Sequence, residues 1–192
     1  IRDYKVTGVQ TCALPISIAA GLDANTIDQW LGGGNALVRC MPNTPSLVGI
    51  GASGLYANAA VSDAQRTLAT QLMEAVGIVE WVEEERLLDA VTAVSGSGPA
   101  YVFLLAEAMT AAGIAAGLPA VLATQLAEAT VSGAGALIEA ADVSPAVLRE
   151  NVTSKGGTTA AALAVLMDEN GLTPLIEQAV QAAKARAVAL GA

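Results

Sequence analysis

An α/β unit built on a parallel sheet, followed by a second, all-helical unit, is the fold class that this sequence predicts. Short apolar runs alternate with helical stretches from Ser17 to Val82, the texture of strand–helix–strand units. After Glu83-Glu84-Glu85 the pattern turns to almost continuous helix. A chain of 192 residues also has room for two unequal units of ordinary size.

Residues 1–16 (IRDYKVTGVQTCALPI) have neither helical nor strand periodicity and no cap signals. This segment is expected to be foreign to the rest of the chain, and it resembles a translated sequencing adapter joined to an incomplete reading frame. In the unit from 17 to 83, Leu37–Met41, Ser53–Ala57 and Ile78–Val82 read as strands bounded by turn residues. Ser62 and Gln65 have the spacing of a capping box, and Ala64, Leu68, Leu72 and Ala75 recur on one helical face before Gly77 ends that helix. In the unit from 84 to 192, Pro99, Pro119, Pro145 and Pro174 each stand where a first-turn proline starts a helix. The helices Pro99–Ala116 and Pro119–Ala141 are apolar on more than one side, which calls for cover on more than one side, and a partner subunit would supply it.

Composition narrows the function. The net charge of −9 opposes binding to nucleic acid, which draws its affinity from Lys and Arg clusters. Having no His removes the commonest general base and the commonest metal ligand together. Cys12 and Cys40 lack any CxxC spacing, so neither a disulfide framework nor a metal site is indicated. The charge-free stretch from Ala108 to Ala127 is long enough for a membrane span, but Gly113, Gly117, Pro119 and its Ala-rich content argue against insertion. The expectation is a cytoplasmic protein with no membrane, metal or nucleic-acid partner.

Four motifs are candidates for chemistry. Gly49-Ile50-Gly51-Ala52-Ser53-Gly54 fits the spacing of a dinucleotide fingerprint, with Glu74 beyond it, but no helix comes directly after it to offer its free amides. It is therefore not read as a phosphate loop, and Gly32-Gly33-Gly34 is read as a surface turn. Met41-Pro42-Asn43-Thr44-Pro45 succeeds a strand, where open α/β sheets bind ligands, yet an ordinary tight turn uses the same residues. Ser95-Gly96-Ser97-Gly98 ahead of Pro99 is either a flexible linker or a fixed loop at a helix N-terminus. Ser154-Lys155-Gly156-Gly157-Thr158-Thr159 collects hydroxyls, amides and a lysine at a helix start, more than a cap needs, and suits a small carboxylate. Glu83, Glu84 and Glu85 read as a solvated helix start with no catalytic part.

SIAAG at 17–21, RCMPNTPSLVGIG at 39–51, AVSGSGPAYVFLLAEA at 93–108 and NVTSKGGTTAAALAVL at 151–166 together resemble the pyrroline-5-carboxylate reductases. The resemblance implies an incomplete Rossmann-like parallel sheet for NADPH or NADH, then a helical dimerisation and substrate-binding domain, with an active site drawn from both subunits of a homodimer or higher homo-oligomer. It implies that Ala19, Ala20 and Gly21 contact the cofactor near the nicotinamide and that Asn43 and Thr44 line its pocket. Asn151 and Thr158 would reach the cofactor from the helical domain. Ser154, Gly157 and Thr159 would hold 1-pyrroline-5-carboxylate, with Thr159 at the ring nitrogen as the catalytic hydroxyl, and Asp142 matches an acidic substrate contact. The implied reaction is hydride transfer to the C=N carbon, giving L-proline, which absence of His does not obstruct.

The departures set the alternatives. Members of this family begin with a strand and a true G-x-G-x-x-G loop, which does not precede Ser17 here, so a crippled reductase is expected. Lys155 stands where many relatives have Pro. A non-catalytic helical dimerisation fragment remains a second reading. A related reductase of another small carboxylate is a third, although Lys155 and Lys184, the two lysines of the helical unit, fit no Lys-x-x-x-Asn arrangement.

Overall fold

The computed structural model describes residues 14–191. Most of the unpatterned segment thus lies outside the described residues, but its last three residues belong to the fold. Ile16 opens a short strand, β1 (Ile16–Ser17), the Pro15 carbonyl accepts from the Val38 amide at 2.9 Å, and Leu14 and Ile16 pack on the core. Apolar Leu14 and Ile16 flank a proline that donates no hydrogen bond, which suits the edge of a sheet.

The chain divides into two compact units, whose described parts are 14–97 with 182–191, and 98–181. The first holds β1, β2 (Val38–Met41), β3 (Gly51–Ala57) and β4 (Gly77–Trp81) in that spatial order. β1 runs parallel to β2 and β3 parallel to β4, while β2 and β3 are antiparallel, so the sheet is mixed where an all-parallel one was expected. Loop length explains this, since parallel neighbours need a crossover of about a dozen residues or more and only Pro42–Ile50 separate these two. Between β3 and β4 the crossover is α2 (Asp63–Glu74), started by the expected capping box: Ser62 Oγ accepts from the Gln65 amide and Gln65 Oε1 accepts from the Ser62 amide. α2 is held to β4 by Trp81, whose Nε1 donates to Thr70 Oγ1 at 3.0 Å and whose ring lies 4.6 Å from the Arg66 guanidinium carbon. Val38, Cys40, Leu55 and Ala69 make the buried core of this unit.

The first compact unit extends to Ser97. α3 (Leu87–Val91) packs on β3 so closely that a Cβ on Gly54 would come within 2.6 Å of Val91 Cγ1. Beyond α3 the backbone widens into one π turn, Thr92–Gly96, with the Ser97 amide donating to the Thr92 carbonyl at 2.8 Å. Ser95-Gly96 is thus helical, with Ser97 a bend before α4, where the sequence suggests a linker or loop. Short side chains permit this, because the hydroxyls of Thr92 and Ser95 bond back to the carbonyls of Leu88 and Val91.

The second unit opens with α4 (Gly98–Ala115) and α5 (Ala120–Ala140), which turn at Gly117, where φ is 100°. That turn splits the charge-free stretch between two helices; each of Leu87–Ala115 and Ala120–Ala140 is by length and composition apolar enough to cross a membrane. Gly113 lets the two helices approach, its missing Cβ facing Ala123. Phe103 and Leu104 on α4 and Val121 on α5 are exposed. Two short helices come next, α6 (Pro145–Asn151) and α7 (Thr158–Leu166), and then α8 (Leu172–Leu190), whose last turns belong to the first unit.

Candidate functional site

Because β1 and β2 are parallel neighbours, the residues after each strand emerge at the same sheet edge. That is where open α/β sheets bind their ligands. Ala19-Ala20-Gly21 lies just beyond β1 and Asn43-Thr44 just beyond β2, so the topology brings together these five residues of the expected cofactor set. Gly21 needs to be glycine twice over: its φ is 76°, and a Cβ would lie 2.7 Å from the Leu190 carbonyl oxygen. A cavity of about 180 Å³ opens beside this turn, bordered by Ala20, Gly21, Met41, Thr92 and Ser97.

Asn43 works within the fold. Its Oδ1 accepts from the Ala52 amide at 2.8 Å and its Nδ2 donates to the Ser95 carbonyl at 3.2 Å, tying the loop after β2 to both β3 and the π turn. Thr44 starts a 3-10 turn, Thr44–Val48, with Pro45 in its first positions. Gly49 ends that turn at φ 78° and β3 begins at Gly51, so the glycine fingerprint spacing here belongs to a turn and a strand. Gly32, Gly33 and Gly34 form an exposed turn, each with positive φ, held by Asp28, whose carboxylate accepts from the amides of Gly34 and Asn35. Those bonds, the Asn35 amide first, hold the Asp28 carboxyl below its ordinary range.

Two residues to which the sequence alone assigns no role stand behind the Ala19–Gly21 turn. Arg39 of β2 is only 8% exposed, and its Nη1 meets Glu85 Oε1 at 3.1 Å. Glu85, read from the sequence as a solvated helix start, is therefore a buried cation's partner, and it also accepts from the Ala24 amide at 2.6 Å. A charge inside the apolar run Leu37–Met41 was the available signal, since Arg is almost never fully buried without a partner. α1 (Ala24–Trp30) begins here, capped by Asp23, which accepts from the Thr26 amide at 2.6 Å. The Thr26 amide and hydroxyl hold the Asp23 carboxyl below its ordinary range, with Arg39 adding to the effect.

In the helical unit the link from α6 to α7 gathers Asn151, Ser154, Gly157, Thr158 and Thr159. Gly156 turns the chain at φ 72° and Gly157 caps α7 in extended conformation, with no side chain satisfying the helix start. Ser154 presses against Gly157, where a Cβ would collide with its Oγ. Ser154, Lys155 and Thr158 are exposed, and Thr159 is half-buried. The arrangement presents free amides, a positive helix end and hydroxyls, which suits a small carboxylate. Asp142 lies apart from this link, at the other end of α6, about 10 Å along the helix axis. Among the described residues no group of three or more Cys, Asp or Glu side chains is arranged to hold a metal ion.

A sheet unit whose parallel strands β1 and β2 end at one edge, succeeded by a helical unit with apolar faces, defines a two-unit α/β and all-α protein. Residues 85–190 match the family described as pyrroline-5-carboxylate reductase dimerisation. The pyrroline-5-carboxylate reductase of Pseudomonas aeruginosa is 51% identical over 177 residues, covering 92% of this chain and 64% of the relative; that of Arabidopsis thaliana is 40% identical over 88% of the chain and 60% of the relative. The solved pyrroline-5-carboxylate reductase of Coxiella burnetii superposes with a TM-score of 0.90 at 44% identity, covering 96% of this chain and 68% of that one. That of Plasmodium falciparum, solved with NADP bound, superposes at 0.82 with 34% identity, over 93% and 71% of the two chains. The chain belongs to the pyrroline-5-carboxylate reductase family. It spans less than two thirds of the length of curated relatives that it matches, 64–66% for those of Pseudomonas aeruginosa, Vibrio alginolyticus, Haemophilus influenzae and Synechocystis.

Proposed function

We propose that the protein reduces 1-pyrroline-5-carboxylate to L-proline with NADPH or NADH, serving proline biosynthesis in the cytoplasm as a homodimer or larger homo-oligomer. The observation that carries this reading is the shared edge of β1 and β2, which collects Ala19, Ala20, Gly21, Asn43 and Thr44. The small side chains of Ala19 and Ala20 leave the main chain approachable beside the cavity that Ala20 and Gly21 border, which fits the flat nicotinamide end of the cofactor. When bound, the cofactor supplies hydride to the C=N carbon.

The chain's own residues orient and hold. On the helical unit, Asn151 and Thr158 are assigned to the cofactor, and Ser154, Gly157, Thr159 and Asp142 to the substrate. The free amides at the start of α7 hold the substrate carboxylate against a positive helix end. The Thr159 hydroxyl bonds the ring nitrogen and orients its proton, so that reduction of the C=N bond leaves a secondary amine. Alignment of two rings is the larger share of such catalysis. Exposed Phe103, Leu104 and Val121 support a second copy as the cover of α4 and α5.

Loss of dihydronicotinamide absorbance with 1-pyrroline-5-carboxylate tests the reading. It is monitored in this chain and in the chain extended before Leu14 by the preceding segment of the Pseudomonas relative. Turnover is expected in the extended chain, with Thr159→Ala lowering kcat by about a hundredfold and Thr159→Ser restoring most of it. An extended chain that binds NADPH but leaves this imine unreduced sinks the substrate assignment.

A further inference from the structure

A guanidinium removed from water is kept only where its hydrogen bonds do something that an apolar side chain cannot, because well-packed apolar residues are generally as stable as a buried ion pair. Arg39 is such a group. Its Nη2 donates to the Ala19 carbonyl at 3.0 Å, while its Nη1 donates to Glu85 Oε1 at 3.1 Å. The same Glu85 oxygen accepts from the Ala24 amide. One ion pair therefore grips both ends of the segment 19–24, the carbonyl where it leaves β1 and the amide where it enters α1.

The Arg39 Nε is buried with no partner, so the guanidinium is placed for those two ends and not for its own full satisfaction. The end of α8 closes on the same segment: a Cβ on Gly191 would sit 2.8 Å from the Gly21 carbonyl oxygen. The segment has two supports, and neither is local in sequence. Replacing the pair by apolar residues would fill the same space yet leave Ala19 and Ala24 unheld.

We infer that Arg39 and Glu85 are positioning residues, a buried guanidinium and its half-buried carboxylate partner that set the shape in which Ala19-Ala20-Gly21 meets the dinucleotide. The inference rests on the reading that this turn meets the cofactor. It concerns geometry, so it separates from stability. The double variant Arg39→Met/Glu85→Leu keeps the space filled and leaves no lone buried charge.

Amide hydrogen exchange and NADPH affinity are measured on that variant and on the unmodified protein, each with and without the upstream extension. Exchange at Ala24 is expected to rise by at least about tenfold while the amides of β2 and β3 stay protected, and the NADPH dissociation constant to rise by about tenfold or more. Arg39→Lys, a point charge that cannot fork to two acceptors, should fall between. If the double variant does not fold, Glu85→Gln, which keeps an acceptor oxygen, should give the same order of effects at smaller size. Unchanged NADPH affinity in a variant whose Ala24 amide has loosened overturns the positioning role alone. Exchange that rises equally in β2 and β3 reduces the pair to general structural support and overturns it too. If the unmodified extended protein binds no NADPH, the cofactor reading fails and takes this role with it.

Discussion

Cys40 sits in the middle of the buried strand β2, and burial pushes its thiol up to about 11 from an ordinary 9.0. The unfolded chain therefore loses that proton first as pH rises, and stability falls between about 9 and 11 by the linkage of proton binding to folding. Urea titrations at the two ends of this range should show the loss, and Cys40→Ala should show less of it; an equal loss in the variant would place the alkaline limb on other groups. In the native state at neutral pH a thiol reagent should leave Cys40 unmodified, as mapped on its peptide. Gly21 carries a different constraint, a left-handed backbone pressed against the Leu190 carbonyl. Gly21→Ala is expected to cost about 1–2 kcal/mol from the backbone alone, read as a lower unfolding midpoint. For Gly157 the collision is with Ser154 Oγ, inside the proposed substrate loop. Displacing that loop by even about 1 Å, as Gly157→Ala would, should lower kcat/KM by about a hundredfold while the melting curve stays close to the parent's.

At the scale of elements, the capping box of α2 gives the simplest test. Ser62→Ala removes the acceptor for the Gln65 amide and should cost about 1 kcal/mol in a chemical melt without altering turnover; an unchanged melt would mean that water replaces the cap. The start of that helix was legible from the sequence because its cap is local, but its buried side was not: Ala64, Leu68, Leu72 and Ala75 are exposed, Ala69 and Met73 pack on the core instead, and Gly77 opens β4. The strands after residue 36 were legible to within two residues for the same reason, being bounded by turn residues. β1 was not, since two residues carry no periodicity and its pairing with β2 is a tertiary fact. The antiparallel step from β2 to β3 was implicit in the short loop between them. The π turn was hidden because Gly and Ser spell a loop until their hydroxyls are seen bonded to the preceding helical turn. Of the proposed site, the roles of the residues at the sheet edge and in the loop before α7 came from the family pattern, whereas the pairing of Glu85 with Arg39 joins positions 46 apart, and the charge inside the run Leu37–Met41 signals only that some partner is needed.

For the whole molecule, the exposed apolar faces of α4 and α5 set the expected assembly. Phe103→Glu with Leu104→Glu places two charges on a face that is 61–63% exposed in the single chain. Sedimentation should show the parent as a dimer or larger and this variant as a smaller species; an unchanged sedimentation coefficient would move the contact surface elsewhere. The low charge density of these helices is intelligible on this basis, since an interface core sheds charged residues.

The return of residues 182–191 to the first unit bears on how the protein is made. Synthesis proceeds from the N-terminus, and the sheet is translated long before the end of α8 that closes on Gly21 and borders the cavity beside it. A nascent chain holding β1 to β4 thus waits through about a hundred further residues before this cover exists, and contacts that span such a separation are slow to form. The helical unit, which is contiguous in the chain, can mature in that interval. A protein tagged or trimmed at its C-terminus would on this account emerge with its helices assembled and the turn after β1 still open.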